Sequence, residues 1–111
     1  MIHSIPSLAD PDIAADIART RDDRVCVRIR HHFVGVPGII VPVEAVYAAL
    51  EGGDHWIEDD TIAHGHTLWV GRRANAVTFE VRCGFEDHGL PRASFNRAAV
   101  LDAIGPRPAA P

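Results

Sequence analysis

Two histidines and a cysteine in this 111-residue sequence have the types and the spacing to bind a metal ion. His64 and His66 are two positions apart, so on a strand both side chains leave the same face. Cys83 lies on the apolar phase of the strand that is predicted to pair with them, and His31 could join them from an earlier strand. Because imidazole and thiolate are ligands that zinc prefers, one hypothesis is a small metal-binding protein or metallohydrolase with a zinc site.

The same residues also fit a structural role. The sequence contains neither a C-x-x-C pair nor an H-E-x-x-H segment, which are spacings typical of zinc sites. A cysteine in the middle of a strand, on the apolar phase, is usually an inert core residue. No G-x-S-x-G segment and no glycine-rich phosphate loop is present. We therefore expect a protein that is not an enzyme and holds no cofactor, with zinc binding as the alternative.

An acidic segment around Trp56 points to a different function. Its acidic residues are Glu51, Asp54, Glu58, Asp59 and Asp60. Tryptophan is a favoured anchor of protein interfaces, and opposite charge speeds the encounter of two proteins. We therefore expect this segment to bind another protein with a basic surface. The predicted contact residues are Trp56, Glu58, Asp59 and Asp60, with Phe85 and His88 of a following loop as secondary contacts.

Arginines on the polar phase of two predicted strands raise the question of nucleic-acid binding. Arg28 and Arg30 share one strand, and Arg82 lies on another beside Glu80. A platform for single-stranded nucleic acid also needs aromatic side chains, and this phase supplies only His32. The chain carries 11 basic residues against 15 acidic ones, a formal charge of −4. We therefore expect solvated Arg–Glu pairs on this face rather than a bound nucleic acid.

A hairpin over residues 64–85 is predicted to position the two histidines. Apolar and polar residues alternate from residue 76 to residue 85, which indicates a strand with one buried face. Leu68 and Val70 continue the apolar phase on the other arm, and a four-residue turn at Arg72–Asn75 would keep both phases on one face. The resulting pairs are Val70 with Val77, Leu68 with Phe79, His66 with Val81 and His64 with Cys83.

Periodicity and capping signals predict the remaining elements. They are a helix capped by Asp10 with an apolar stripe at Ile13, Ala14, Ile17 and Ala18, a strand over 24–33, a short arm at Ile39–Val41, a helix from Pro42 to Gly52, the hairpin, and a helix capped by Ser94 that ends at Gly105. This order, α-β-β-α-β-β-α, predicts an α+β fold: one mostly antiparallel sheet of about four strands with helices on one face. We expect residues 1–105 to form a single domain and 106–111 a disordered, proline-rich tail.

The sequence predicts a cytoplasmic protein. No stretch reaches the roughly 18 apolar residues of a membrane span, and the first residues lack the basic and apolar regions of a signal peptide. Cys26 and Cys83 lie on opposite strand phases, so we expect two reduced thiols. An immunity protein, antitoxin or anti-defence inhibitor of a prokaryote or phage would match the size, the acidity and the absence of catalytic motifs. The arm Ile39–Val41 could leave a sheet edge open for a homodimer.

Overall fold

The computed structural model describes residues 1–31, 34–35, 38–52, 55–59, 66–82 and 92–109. Within these ranges nine strands and two helices follow one another. The strands are β1 (His3–Pro6), β2 (Ile13–Arg19), β3 (Arg24–His31), β4 (Val34–Gly35), β5 (Ile39–Pro42), β6 (His55–Glu58), β7 (Thr67–Arg73), β8 (Ala76–Arg82) and β9 (Ala93–Asn96). The helices are α1 (Val43–Gly52) and α2 (Arg97–Ile104). No helix among these residues is long and apolar enough to cross a membrane.

The first sheet contains β1 to β5, and every pair of neighbouring strands in it is antiparallel. β2 lies between β1 and β3, while β4 and β5 both pair with the other side of β3. In β2 the side chains of Ile13, Ala15 and Ile17 are buried, and the residues between them lie on the opposite face. One face of this sheet therefore covers the core.

The first helix predicted from the sequence is wrong, because that segment forms β2. The apolar residues at positions 13, 14, 17 and 18 fit a helix, yet Ile13, Ala15 and Ile17 fit a strand equally well. Pairing with β1 on one side and β3 on the other decides between the two. Asp10 caps a turn rather than a helix, since its Oδ1 accepts a hydrogen bond from the backbone N–H of Asp12 at 3.0 Å.

The second sheet has the antiparallel order β6-β7-β8-β9. The expectation of one continuous sheet is therefore wrong, and the chain is an α+β protein built mostly from two sheets. The sheets meet where Ser7 forms an isolated bridge with Phe95 and where the Leu8 N–H donates to the Ser94 carbonyl at 2.9 Å. Phe79 and Phe95, with ring centroids 5.8 Å apart, are among the largest fully buried side chains of the core.

The hairpin of β7 and β8 is present, but its turn is shorter than predicted. Arg73 pairs with Ala76, which leaves a two-residue turn whose first residue, Ala74, has a φ of 44°. The apolar phases of the two arms share the core face, as predicted, because a change of two residues preserves the alternation. The register itself is wrong: Val70 faces Phe79 and Leu68 faces Val81. The predicted pairs of His66 with Val81 and Leu68 with Phe79 do not form.

The sequence predicts the first of the two helices correctly and the second one in part. The helix predicted after Pro42 is confirmed as α1, which packs against β5 and β7 through Val43, Val46, Ala49 and Leu50. The last helix begins later than predicted, because Ser94 belongs to β9. Its cap is Asn96, whose Oδ1 accepts the Ala99 N–H at 3.0 Å. α2 ends at Gly105, as expected, and packs against β2.

Candidate functional site

The acidic residues predicted to bind a partner lie in different environments in the structure. Asp59 is buried with 3% of its surface exposed, and its Oδ2 accepts the backbone N–H of Ile40 on β5 at 2.9 Å. Glu51 pairs with Arg107 near the C-terminus. Glu58 is exposed on β6. The other predicted contacts, Asp60, Phe85 and His88, lie outside the described residues, as does Asp54.

Trp56 lies instead within a tryptophan pair on the outer face of the second sheet. We define this outer face by the side chains that point away from the core: Trp56, Glu58, Thr67, Trp69, Gly71, Thr78, Glu80, Arg82 and Ser94. Trp56 on β6 is directly opposite Trp69 on β7. Trp56 is 37% exposed, whereas Trp69 is 8% exposed. Two indoles are therefore adjacent on a surface whose opposite side is packed against the core.

A guanidinium group stacks on each indole. Arg82 lies over the Trp56 ring at 4.8 Å from its centroid, and Arg92 lies over Trp69 at 3.8 Å. Glu80, which faces Trp69 across the strands, lies between the two arginines. Its Oε2 is 3.6 Å from Arg82 Nε and its Oε1 is 3.6 Å from Arg92 Nε. Cation–π contacts and ion pairs with Glu80 therefore hold the two arginines against the two indole rings.

A depression of about 270 Å³ opens beside Trp69 on the same face. Its lining residues, which we call the arginine depression, are Trp69, Gly71, Arg72, Arg73, Thr78, Arg92 and Ser94. Gly71, Thr78 and Ser94 form a row across β7, β8 and β9. Thr78 Oγ1 and Ser94 Oγ are 2.8 Å apart and share a hydrogen bond. Cations, hydroxyl groups and one aromatic wall therefore converge on a small space.

The arginines singled out in the sequence do not share one face. Arg28 and Arg30 belong to β3 in the first sheet, whereas Arg82 belongs to β8 in the second. Arg30 binds Asp16 of β2, with Nε 3.0 Å from Oδ2. This hydrogen bond lowers the pKa of the Asp16 carboxyl below its usual value. Arg30 is therefore paired with a carboxylate of its own sheet, on a partly exposed surface.

The sequence reasoning missed the aromatic component of the outer face. Trp69 lies between the buried residues Leu68 and Val70, so the alternation that buries its neighbours already directs its side chain outward. That signal was available. The position of Arg92 over Trp69 had no such signal, because Arg92 follows a segment without a readable period.

The proposed metal ligands are only partly within the described residues. His31 is half-buried at the end of β3, and His66 precedes β7 with a buried Nδ1 that has no hydrogen-bond partner in the described part of the chain. His64 and Cys83 lie outside it. Across the ranges that the structure describes, no three His, Cys, Asp or Glu side chains group in a way that could hold a metal ion. Burial raises the pKa of the free Cys26 thiol, which disfavours the thiolate form that a nucleophile needs.

No protein-family model matches this chain, and no curated protein or solved structure is significantly similar to it. Stacked tryptophans, arginines and one shared carboxylate on the outer face can bind a ligand through apolar contact and ion pairing.

Proposed function

We propose that this chain is a small, non-enzymatic binding protein that captures another protein through the outer face of its second sheet. The observation that carries the proposal is the cross-strand pair of Trp56 and Trp69, each with an arginine stacked on its ring. Tryptophan and arginine are the residues most enriched at the energetic centres of protein interfaces. Their concentration on one solvent-facing sheet surface supports a docking role.

The arrangement also supports rapid and specific docking, because its long side chains are already ordered. Arg82 and Arg92 are each held by an indole ring and by Glu80, so less rotamer entropy is lost when a partner binds. Glu80 Oε2 is buried and lies 3.6 Å from Arg82 Nε, so this carboxylate holds the arginine in place rather than meeting the partner itself.

The accessible charges of this face favour an acidic partner surface rather than the basic one predicted from the sequence. The sequence predicted a basic partner, but Asp59 is buried and Glu51 is paired with Arg107. Glu58 is the exposed carboxylate of β6, whereas several arginines surround the two tryptophans. We therefore propose a partner that presents an apolar contact together with acidic groups.

The biological setting that we propose is inhibition by binding alone, as in an immunity protein, antitoxin or anti-defence inhibitor of a prokaryote or phage. Such a protein needs one well-ordered recognition surface and no catalytic group.

The test is affinity capture from an extract of the source organism with the wild-type chain, Trp56→Ala and Ile2→Ala. Ile2 is 70% exposed, lies just before β1 of the first sheet and serves as the apolar control. We expect a partner that the wild type and Ile2→Ala retain and Trp56→Ala loses. With the purified partner, Trp56→Ala should weaken Kd about 30-fold, the effect of a hot spot worth roughly 2 kcal/mol.

Two results would contradict the proposal. One is a partner that binds wild type, Trp56→Ala and Arg82→Ala with equal affinity, provided that thermal unfolding shows all three to be folded. The other is stoichiometric zinc in the purified protein that disappears in His66→Ala, because that result favours the metalloprotein alternative.

A further inference from the structure

We infer that the arginine depression is the subsite that receives a carboxylate or phosphate group of the protein partner. The inference rests on the proposed function, because it names the group that the partner presents. The depression lies on the same face as Trp56 and Trp69 and shares the Trp69 wall with the tryptophan pair. A partner seated on the indoles would therefore reach it without rearrangement of the sheet.

The lining supplies the donors that an oxyanion needs. Arg73 lies on the outer face at the exposed end of the β7–β8 hairpin, and the Arg92 side chain is half exposed. A guanidinium group is planar and always charged, so it can bind two oxygens of one carboxylate or phosphate at once. Arg73 and Arg92 on the outer face therefore create a positive potential that selects for an anion, whereas Arg72 pairs with Val77 and its side chain leaves the opposite face.

The paired hydroxyl groups add a neutral donor to the floor. Thr78 and Ser94 carry one hydroxyl proton each, and the 2.8 Å hydrogen bond between their oxygens uses one of the two. Whichever residue donates in that bond, the other hydroxyl keeps its proton for a further acceptor. An anion oxygen above the Thr78–Ser94 pair is such an acceptor.

The shape of the depression follows from the missing side chain of Gly71. Gly71 faces Thr78 across the strands, and Thr78 faces Ser94, so the floor consists of small residues. Trp69 and Arg73, two positions before and after Gly71 on β7, lie on the same side of the strand. The space of about 270 Å³ is near the lower limit of small-ligand sites and fits one acidic group with its attached chain.

The local charge balance also leaves the depression in need of an anion. Glu80 lies 3.6 Å from Arg92 and compensates that one cation. Arg73 has no carboxylate among the other residues that line the space. A carboxylate would neutralise this arginine, and a phosphate monoester, which carries about −1.5 to −2 charges at neutral pH, would also attract Arg92.

A protein partner fits this site better than a nucleic acid. Base stacking needs an open aromatic ring, and Arg92 already covers Trp69 at 3.8 Å from the ring centroid. The formal charge of −4 also repels a polyanion, which needs many cations along its backbone. One acidic group on a peptide needs only the few cations of the arginine depression.

The test is titration of the intact, isotope-labelled chain, followed by NMR of the Trp69 indole and the Gly71 amide. The probes are inorganic phosphate and three blocked peptides that differ at one position only. That position is phosphoserine, glutamate or glutamine. We expect saturable shifts with phosphate and with the two acidic peptides, and none with the glutamine peptide at matched ionic strength. The ratio of the two acidic peptides' affinities identifies whether the partner's group is a phosphate or a carboxylate.

Three variants connect the binding to the depression. Arg73→Ala should weaken binding of the better acidic peptide about tenfold, as expected for loss of a charged hydrogen bond. Gly71→Ala should weaken it without any change of charge, because the new methyl group fills the floor. Arg28→Ala removes an exposed arginine from the other sheet and should leave the affinity unchanged. The dispersion of each spectrum reports whether the variant is folded.

The inference is overturned if no probe gives a saturable shift, if Arg28→Ala and Arg73→Ala weaken binding equally, or if an oligothymidylate binds more tightly than either acidic peptide. These outcomes are distinct from failure of the proposed function. Capture that depends on Trp56 without any response to the acidic probes would remove the subsite alone. Specific anion binding at the depression, combined with capture that ignores Trp56→Ala, would remove the proposed docking face alone.

Discussion

The Asp59 carboxylate accepts the backbone N–H of Ile40 at 2.9 Å and so connects the segment after β6 to the outer edge of β5. The backbone N–H of Asp59 donates in turn to the His66 carbonyl at 2.8 Å. A single residue of the segment after β6 thus covers an amide that would otherwise be an unpaired group on an edge strand. At this position Asp59 lies against the edge of β5 that the sequence predicted for homodimer formation.

Replacement of Asp59 should therefore affect stability before it affects binding. Asp59→Ala leaves the partly buried Ile40 N–H without its acceptor, and we expect a loss of about 1–3 kcal/mol in the free energy of unfolding. Asp59→Asn keeps an oxygen acceptor and should lose less. Urea denaturation of the three proteins measures the difference. An Asp59→Ala protein as stable as wild type would show that water replaces the carboxylate at no cost.

Gly38 should tolerate a side chain only if Cys26 is made smaller. A Cβ added at Gly38 would lie 2.6 Å from Cys26 Sγ, closer than any normal contact. We expect Gly38→Ala to cost about 1–3 kcal/mol of stability, in the range of overpacked sites. Cys26→Ala should restore much of that loss in the double variant, and a double-mutant cycle measures the coupling. Additive effects of the two substitutions would mean that the new methyl group finds space elsewhere.

The Asp16–Arg30 pair should make stability fall in acid. The hydrogen bond from Arg30 is the main reason that the pKa of Asp16 is below its ordinary value, so the folded state favours the ionised carboxylate. This contribution is present above the unfolded pKa of about 3.9 and is lost as the pH falls through the lower folded value. Because the pair is partly exposed, Arg30→Ala should lower the free energy of unfolding only slightly at neutral pH.

The same substitution should also flatten the acid limb of the stability curve. Urea denaturation at pH 7 and at pH 3 measures this as a smaller difference between the two values in Arg30→Ala than in wild type. Arg28→Ala is the control, since Arg28 acts on Asp16 only through a weaker charge interaction. If both variants keep the full wild-type decrease between the two pH values, other carboxyl groups cause the acid sensitivity.

The elements that the sequence predicted correctly are those with one dominant signal. The alternation of residues 76–82 and the i, i+3, i+7 spacing of Val43, Val46 and Leu50 each admit a single reading, and both were confirmed. Residues 13–18 satisfied two periods at once, and only strand pairing with distant residues resolved them as β2. The hairpin register depends on the positive φ of Ala74, and alanine rarely adopts a positive φ. Sequence patterning does not report such a local choice.

The candidate site was predicted least well, because it depends on contacts between segments far apart in the chain. Trp56 was singled out for its acidic neighbours, yet its actual neighbours are Trp69 and Arg82. Asp59 looked like a surface carboxylate in the sequence and is buried through its bond to Ile40. Both relationships require the arrangement of two separate sheets, which local periodicity does not encode.

Arg19 should anchor the C-terminal end of α2. Its Nη1 donates to the carbonyls of Ile104 and Pro106 at 2.7 and 3.0 Å, and Tyr47 donates to the Gly105 carbonyl at 2.6 Å. These carbonyls have no partner within the helix, and a cation near them also interacts favourably with the helix dipole. Arg19→Ala should therefore reduce the free energy of unfolding by about 1–2 kcal/mol.

Two comparisons separate the hydrogen bonds of Arg19 from its charge. Arg19→Lys keeps the charge but cannot bind the two carbonyls, which Nη1 reaches, together with Asp23, which Nη2 reaches, so we expect an intermediate stability. Tyr47→Phe removes only the neighbouring bond to Gly105 and should cost about 1 kcal/mol. Hydrogen exchange locates the effect: amides of α2 should lose protection in Arg19→Ala more than amides of α1 do. Equal loss of protection in both helices would contradict a local anchoring role, because it would mean that Arg19 stabilises the fold as a whole.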